Sequence, residues 1–145
     1  MKQAGFRFLE HTADVQIESW GSTLEEAFSQ TALSLMATIT PNINIISPNI
    51  QKIMEIEAED KESLLFDFLS EFLYIFDVEE LVFSEISVET IMKKQEKYYL
   101  KAILKGETFN KIVHEIGTEV KAITYSFMEI NENKENVNIK VVFDI

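Results

Sequence analysis

Phe6-Arg7-Phe8-Leu9-Glu10-His11-Thr12-Ala13-Asp14-Val15-Gln16-Ile17 is the stretch from which the fold is read. Phe6 and Phe8 flank Arg7, while Val15, Ile17 and Ser19 alternate with Gln16, Glu18 and Trp20. A period of two marks a half-buried strand, so two strands are predicted here. Between them an acid, an imidazole, a hydroxyl and a second acid (Glu10, His11, Thr12 and Asp14) interrupt the pattern. Four such side chains are costly to bury unless each finds a partner or an ion. The run is therefore a candidate site. Its expected counterpart is Phe143-Asp144-Ile145, which closes an alternating stretch at the other end of the sequence.

Working outward, Gly21 breaks the second strand, and Ser22-Thr23-Leu24-Glu25 has the form of a helix start. A hydroxyl there caps the free amides and the glutamate three residues on reaches back. Leu24, Phe28, Thr31, Leu35 and Ile39 fall on one helical face flanked by Ala27, Ala32 and Met36, and Pro41 requires the helix to stop first. Residues 41–51 read as a loop, and Lys52–Ala58 alternates as a strand. A second helix is predicted from Lys61 or Ser63 to Phe76, apolar over most of its circumference and hence the central core helix. From Val82 the period returns to two. One hairpin turns at Lys93–Lys97, and a second joins Val120–Glu129 to Val137–Asp144 around Asn131–Asn136. Phe109–Gly117 fits neither period. The order of elements predicts an α+β fold: two helices packed on a mainly antiparallel β-sheet in a two-layer sandwich.

Composition narrows the function. A chain of 145 residues, 46% apolar and with 11 Phe, fits one domain, residues 1–145, with a core that needs no staple. The absence of cysteine removes thiolate metal sites, thiol nucleophiles and disulfides. No segment has the length and apolarity of a membrane span, and the first residues lack the build of a signal peptide. A cytoplasmic setting is expected. Twenty-five acids against 13 Lys+Arg leave a net charge of −12, which phosphate backbones repel, so direct nucleic-acid binding is not expected. A basic protein partner or a divalent cation suits this charge better; solubility alone is the plainer explanation.

There is no phosphate-cradling glycine loop, nucleophile elbow, His-Glu-x-x-His or dinucleotide fingerprint. With only two histidines, His11 and His114, a metal site must rest on oxygen, which favours Ca²⁺, Mg²⁺ or Mn²⁺. On the last strand Val137, Ile139, Val141 and Phe143 share one face, so Asp144 projects from the other with Lys140 and Val142. If this strand pairs near the N-terminal ones, Asp14, Asp144 and the Ile145 carboxylate converge, and three anionic groups together call for a cation or a proton. Two readings stay open for each residue. An aspartate near a strand end is ordinarily solvated or bonded to a turn. A lone His11 is more simply held by a carboxylate or carbonyl than engaged in proton transfer. The runs Glu55–Asp60 and Asp77–Glu80 read as a solvated strand face and a helix end, or else as a docking surface.

Glu10-His11-Thr12-Ala13-Asp14-Val15 closely resembles the Asp-His-Thr-Ala-Asp-Val opening of the archease family. Further blocks resemble the family in order: Trp20–Phe28, Phe76–Phe83, Gly117–Tyr125 and Phe143-Asp144-Ile145. The resemblance implies an accessory factor, itself no enzyme, for the RtcB-type RNA ligase that joins RNA ends in tRNA splicing and repair. Such a factor promotes guanylylation of the ligase and its multiple turnover. The resemblance also implies a metal site made by Asp14, Asp144 and Ile145, the last through a main-chain or carboxylate oxygen. Glu10, His11, Glu119 and Lys121 are weaker candidates for a supporting shell or for partner contact. Glu10 departs from the commoner Asp, which moves a carboxylate by about one bond length. Two rivals are a general protein-binding chaperone, which the sequence does not favour because it shows no exposed apolar groove, and a small metal-dependent hydrolase.

Overall fold

A computed structural model describes residues 3–9 and 14–145 of the chain. Its strands are β1 (Gly5–Leu9), β2 (Val15–Gly21), β3 (Ile50–Ala58), β4 (Leu81–Lys94), β5 (Lys97–Thr108), β6 (Ala122–Glu132) and β7 (Val137–Asp144). The helices are α1 (Leu24–Ile39) and α2 (Lys61–Glu79), with a 3₁₀ turn at Ile43–Ile45. One sheet has the order β1-β2-β7-β6 and the other β3-β5-β4, and every neighbouring pair is antiparallel. The expected α+β class and antiparallel pairing are what the chain adopts.

Each helix touches both sheets, α1 through β2 and β4 and α2 through β6 and β3. A chain of buried rings ties these layers together. Phe28 of α1 lies 6.0 Å from Phe68 of α2, Phe68 meets Phe72 edge-on at 5.1 Å, and Phe72 meets Phe83 of β4 at 5.9 Å. All four are fully buried, and edge-to-face geometry adds to their area burial. Where α1 crosses β2 the contact is polar yet satisfied. The Thr31 hydroxyl donates to the Ala27 carbonyl at 2.8 Å and lies 2.5 Å from the Ser19 hydroxyl.

Helix boundaries follow capping chemistry, with shifts from the sequence expectation. The cap of α1 is Thr23, whose hydroxyl accepts the Glu26 N–H at 3.1 Å, while the Glu26 carboxylate accepts both the N–H and the hydroxyl of Ser22. The reaching glutamate is thus Glu26, one residue beyond the one expected. Asp60 and Ser63 form a reciprocal capping box for α2. That helix continues to Glu79, past the expected Phe76, and closes at Glu80 in the left-handed region (φ 57°). Its apolar circumference is not buried all round, since Tyr74 and Val78 are exposed, and α1 rather than α2 is the more deeply packed helix.

The expected five-residue polar turn is tighter, because β4 and β5 extend into it. Only Gln95 and Glu96 remain between the strands, both at positive φ, as a two-residue hairpin demands. β3 begins at Ile50 and β6 at Ala122, each two residues away from the start that the sequence suggested. β6 is also interrupted. Between the pairs Thr124↔Val142 and Glu129↔Lys140, residues 125–128 stand opposite the single residue Val141. The excess chain loops out, Phe127 turns to φ 57°, and the Tyr125 ring stacks on Phe66 of α2 at 4.3 Å. No helix among the described residues is long and apolar enough to cross a membrane.

Candidate functional site

β7 lies between β2 and β6, and its register assembles the site. Val15, the first residue of β2, pairs with Phe143, and Asp144 is the last residue of β7. On the other side Ala122 pairs with Asp144, and the Lys121 N–H donates to the Asp144 carbonyl at 2.8 Å. Asp14 immediately precedes β2 and Asp144 closes β7, so both belong to the same end of the sheet, where Ile145 follows. Asp14, Asp144 and Ile145 are all half-buried.

The alternation of β7 explains this placement. Val137, Ile139, Val141 and Phe143 are buried against the helices, which turns Asp144 to the opposite face. Val142, on that face, is nonetheless buried, because it sits in a central strand between Gln16 and Thr124. Further along the face, Arg7 donates to Glu18 Oε1 at 2.6 Å through Nε and 2.5 Å through a terminal nitrogen, while Asn138 donates to Oε2 at 3.0 Å. Burial alone raises the Glu18 carboxyl. The hydrogen bonds from Asn138 and Arg7 and the charges of Arg7 and Lys140 outweigh it and hold the group below the usual carboxylate range.

The donor set at the sheet end is oxygen only, which suits a hard divalent cation. Among the described residues, no group of three or more His, Asp or Glu side chains converges on a metal-sized site. Two aspartates and a main-chain oxygen of Ile145 are thus what this end of the sheet offers. Lys121 is exposed, its backbone fastened beside Asp144. Glu119, also exposed, joins Lys121 and Asp77 in lining a neighbouring cleft of about 390 Å³, whose walls are Ile39, Leu73, Phe76, Phe109, Ile116 and Val120. Glu10 and His11 lie outside the described residues.

The sequence left Phe109–Gly117 unassigned, and the structure gives it a definite build. The Asn110 carbonyl accepts the N–H groups of Val113 and His114 at 2.9 and 2.7 Å, and Asn110 Oδ1 accepts the Ile112 N–H at 2.9 Å. His114 is buried, with its ring against Phe109. Its Nδ1 accepts the Asn110 N–H at 2.8 Å, so Nε2 carries the hydrogen and donates to Glu107 at 2.9 Å. The same Glu107 oxygen accepts the Ser47 N–H at 2.8 Å. The Ser47 amide first, then His114, holds the Glu107 carboxyl below its ordinary value. Both His114 nitrogens are occupied within the fold, so its work is structural. The segment then docks on α1: Gly117 and Thr118 donate to the Ile39 and Thr38 carbonyls at 2.9 and 2.8 Å. A Cβ at Gly117 would stand 2.3 Å from the Thr38 oxygen, so only glycine allows this approach.

Built this way, the segment holds Ile112, Val113 and Ile116 out to solvent. The sequence did not single out this apolar patch. The sequence signal was faint: three β-branched residues without a period, next to one histidine.

Such an architecture defines a class before it defines a family. It is an α+β protein whose two helices are clamped by two antiparallel sheets, with Asp144 at the end of the strand that lies between β2 and β6. Within that class the chain belongs to the Archease protein family, whose model matches residues 6–145. It is similar to the protein archease of Methanosarcina acetivorans, 36% identical over 140 residues that cover 97% of this chain and 95% of that one. Its fold matches the solution structure of Methanobacterium thermoautotrophicum protein 1598 with a TM-score of 0.85, at 34% identity over 97% of this chain and 99% of that one. A crystal structure from Thermotoga maritima, described as an archease and possible chaperone, shares the fold at a TM-score of 0.59 and 23% identity, covering 94% of each chain.

Proposed function

We propose that this protein is a non-catalytic accessory factor for an RtcB-type RNA ligase, acting in the cytoplasm in tRNA splicing and RNA repair. It would promote guanylylation of the ligase and its multiple turnover. The observation that supports this reading most is the Val15↔Phe143 pair, which brings the end of β7 to the end of the sheet where Asp14 leads into β2. Two carboxylates meeting there would repel one another unless a positive charge joined them.

A divalent cation (Ca²⁺, Mg²⁺ or Mn²⁺) bound there supplies that charge and an affinity for phosphate oxygens. The chain's own residues do the rest. Asp14 and Asp144 hold the cation, with an Ile145 main-chain oxygen as the third donor. Ladder pairing on both sides and the Lys121 N–H keep the end of β7 from fraying. Glu10 and His11 support the site, and Glu119 and Lys121 meet the partner. The net charge of −12 draws the protein to the basic, RNA-facing cleft of a ligase without giving it affinity for RNA itself.

Multiple-turnover ligation of RNA ends, with guanylylation of the ligase followed in parallel, tests the proposal. Wild type is expected to raise both. Asp14→Ala and Asp144→Ala, checked for matched folding, are expected to raise neither. Full stimulation by both variants would sink the metal-centre mechanism, and no stimulation by wild type would sink the ligase reading.

One observation favours a second reading. The exposed Ile112, Val113 and Ile116 suit a general protein-binding chaperone. That reading expects suppression of aggregation for unrelated clients, unchanged by Asp14→Ala.

A further inference from the structure

We infer that the Asn110–Thr118 segment is a preformed docking element, and that its occupant is an apolar socket with a basic rim on the partner protein. The inference rests on the accessory-factor reading above and names the surface through which it would work. Ile112 is 90% exposed and Ile116 68% exposed, with Val113 between them. Single exposed aliphatics are commonplace; three within five residues form a patch that marks an interaction site.

The patch is not slack chain. The Asn110 turn, the hydrogen bond from buried His114 to half-buried Glu107 and the docking of Gly117 and Thr118 on α1 fix its backbone at both ends. A binding element ordered in advance avoids the entropy cost of ordering at the interface. Its position also fits the reading: three residues beyond Thr118, Lys121 holds the Asp144 carbonyl, so a partner seated on the segment is brought to the Asp14–Asp144 edge.

The charges beside it select the partner. Asp77 and Glu119 line the cleft next to Ile116 with Lys121, and Glu115 is exposed between Val113 and Ile116 while Lys111 is exposed before Ile112, so acids outnumber lysines around the patch. On a chain of net charge −12 these acids disfavour a second copy and favour a basic rim.

Fluorescence anisotropy of the labelled full chain titrated with the intact ligase, in parallel with the multiple-turnover ligation assay, tests the inference. Ile112→Ser/Ile116→Ser removes the patch without touching a buried residue, and near-UV circular dichroism verifies its fold. The double variant is expected to bind at least about tenfold more weakly. It should still reach full stimulation at saturating concentration, and wild-type binding should weaken as salt rises. Wild-type stimulation together with double-variant binding within about twofold of wild type overturns the docking element and leaves the ligase reading standing. No stimulation by wild type overturns both. A wild-type dimer in sedimentation velocity that the double variant dissolves assigns the patch to a second copy and overturns the inference.

Discussion

Asp14→Asn and Asp144→Asn are each expected to stabilise the metal-free protein while abolishing its response to a divalent cation. In the proposed metal centre the two residues meet as neighbours beside the Val15↔Phe143 pair, with Cβ atoms about 5 Å apart. Unit charges about 5 Å apart repel by about 0.8 kcal/mol in water and about 3 kcal/mol at an effective dielectric of about 20. Both side chains are half-buried at a sheet end, so solvent screens them and the lower figure applies, about 1 kcal/mol. For a chain of this size, relieving that repulsion raises Tm by about 2–4 °C in the presence of a chelator. Wild type should gain about 1.4 kcal/mol when the cation is at about ten times its Kd, and neither variant should follow. Thermal melts by circular dichroism in chelator and across a calcium series read both effects. Variants that melt no higher than wild type in chelator, yet keep the calcium-dependent rise, would show that the carboxylates neither repel nor share an ion.

Two further outcomes are expected. The Thr40 hydroxyl is buried with no hydrogen-bond partner among the described residues, in an extended backbone that suits a β-branched side chain. Thr40→Val is therefore expected to stabilise by about 1 kcal/mol, read as a higher urea midpoint at unchanged m-value. The Glu107 carboxyl is held below its ordinary value by the Ser47 amide and by His114. Its contribution is complete above the unfolded-state pKa and is lost as pH falls through the folded one. Glu107→Gln should thus be less stable than wild type at neutral pH and lose less stability between about pH 5 and pH 3. Urea midpoints at several pH values check it, and parallel pH profiles would be the contrary result.

Strand β7 was legible because Val137, Ile139, Val141 and Phe143 are all buried where period two puts them, even though Val142 on the other face is buried too. The start of α2 and the stop of α1 before Pro41 were legible for a similar local reason, since caps and proline act within a few residues. Local pattern could raise Asp14 and Asp144 as candidates but not bring their strands together; that depends on the pairing of β2 with β7. The Phe109–Gly117 segment was illegible for a different reason. Its order comes from contacts with Glu107, Ser47 and the end of α1, none of which leaves a period in the residues themselves. The irregularity in β6 likewise answers to Phe66 on α2 rather than to its own alternation.

The β2–β7 ladder has a consequence for how the protein matures. Pairing Val15 with Phe143 joins stretches 128 residues apart in the sequence (143 − 15). Long-range closures of this kind are slow, because chain entropy must be given up before any contact rewards it. While the intervening elements condense, β1 and β2 have only each other as strand partners in this sheet. The proposed carboxylate pair thus comes into being only when β7 is seated. Ion affinity, measured during refolding, would serve as a clock for the final step of assembly.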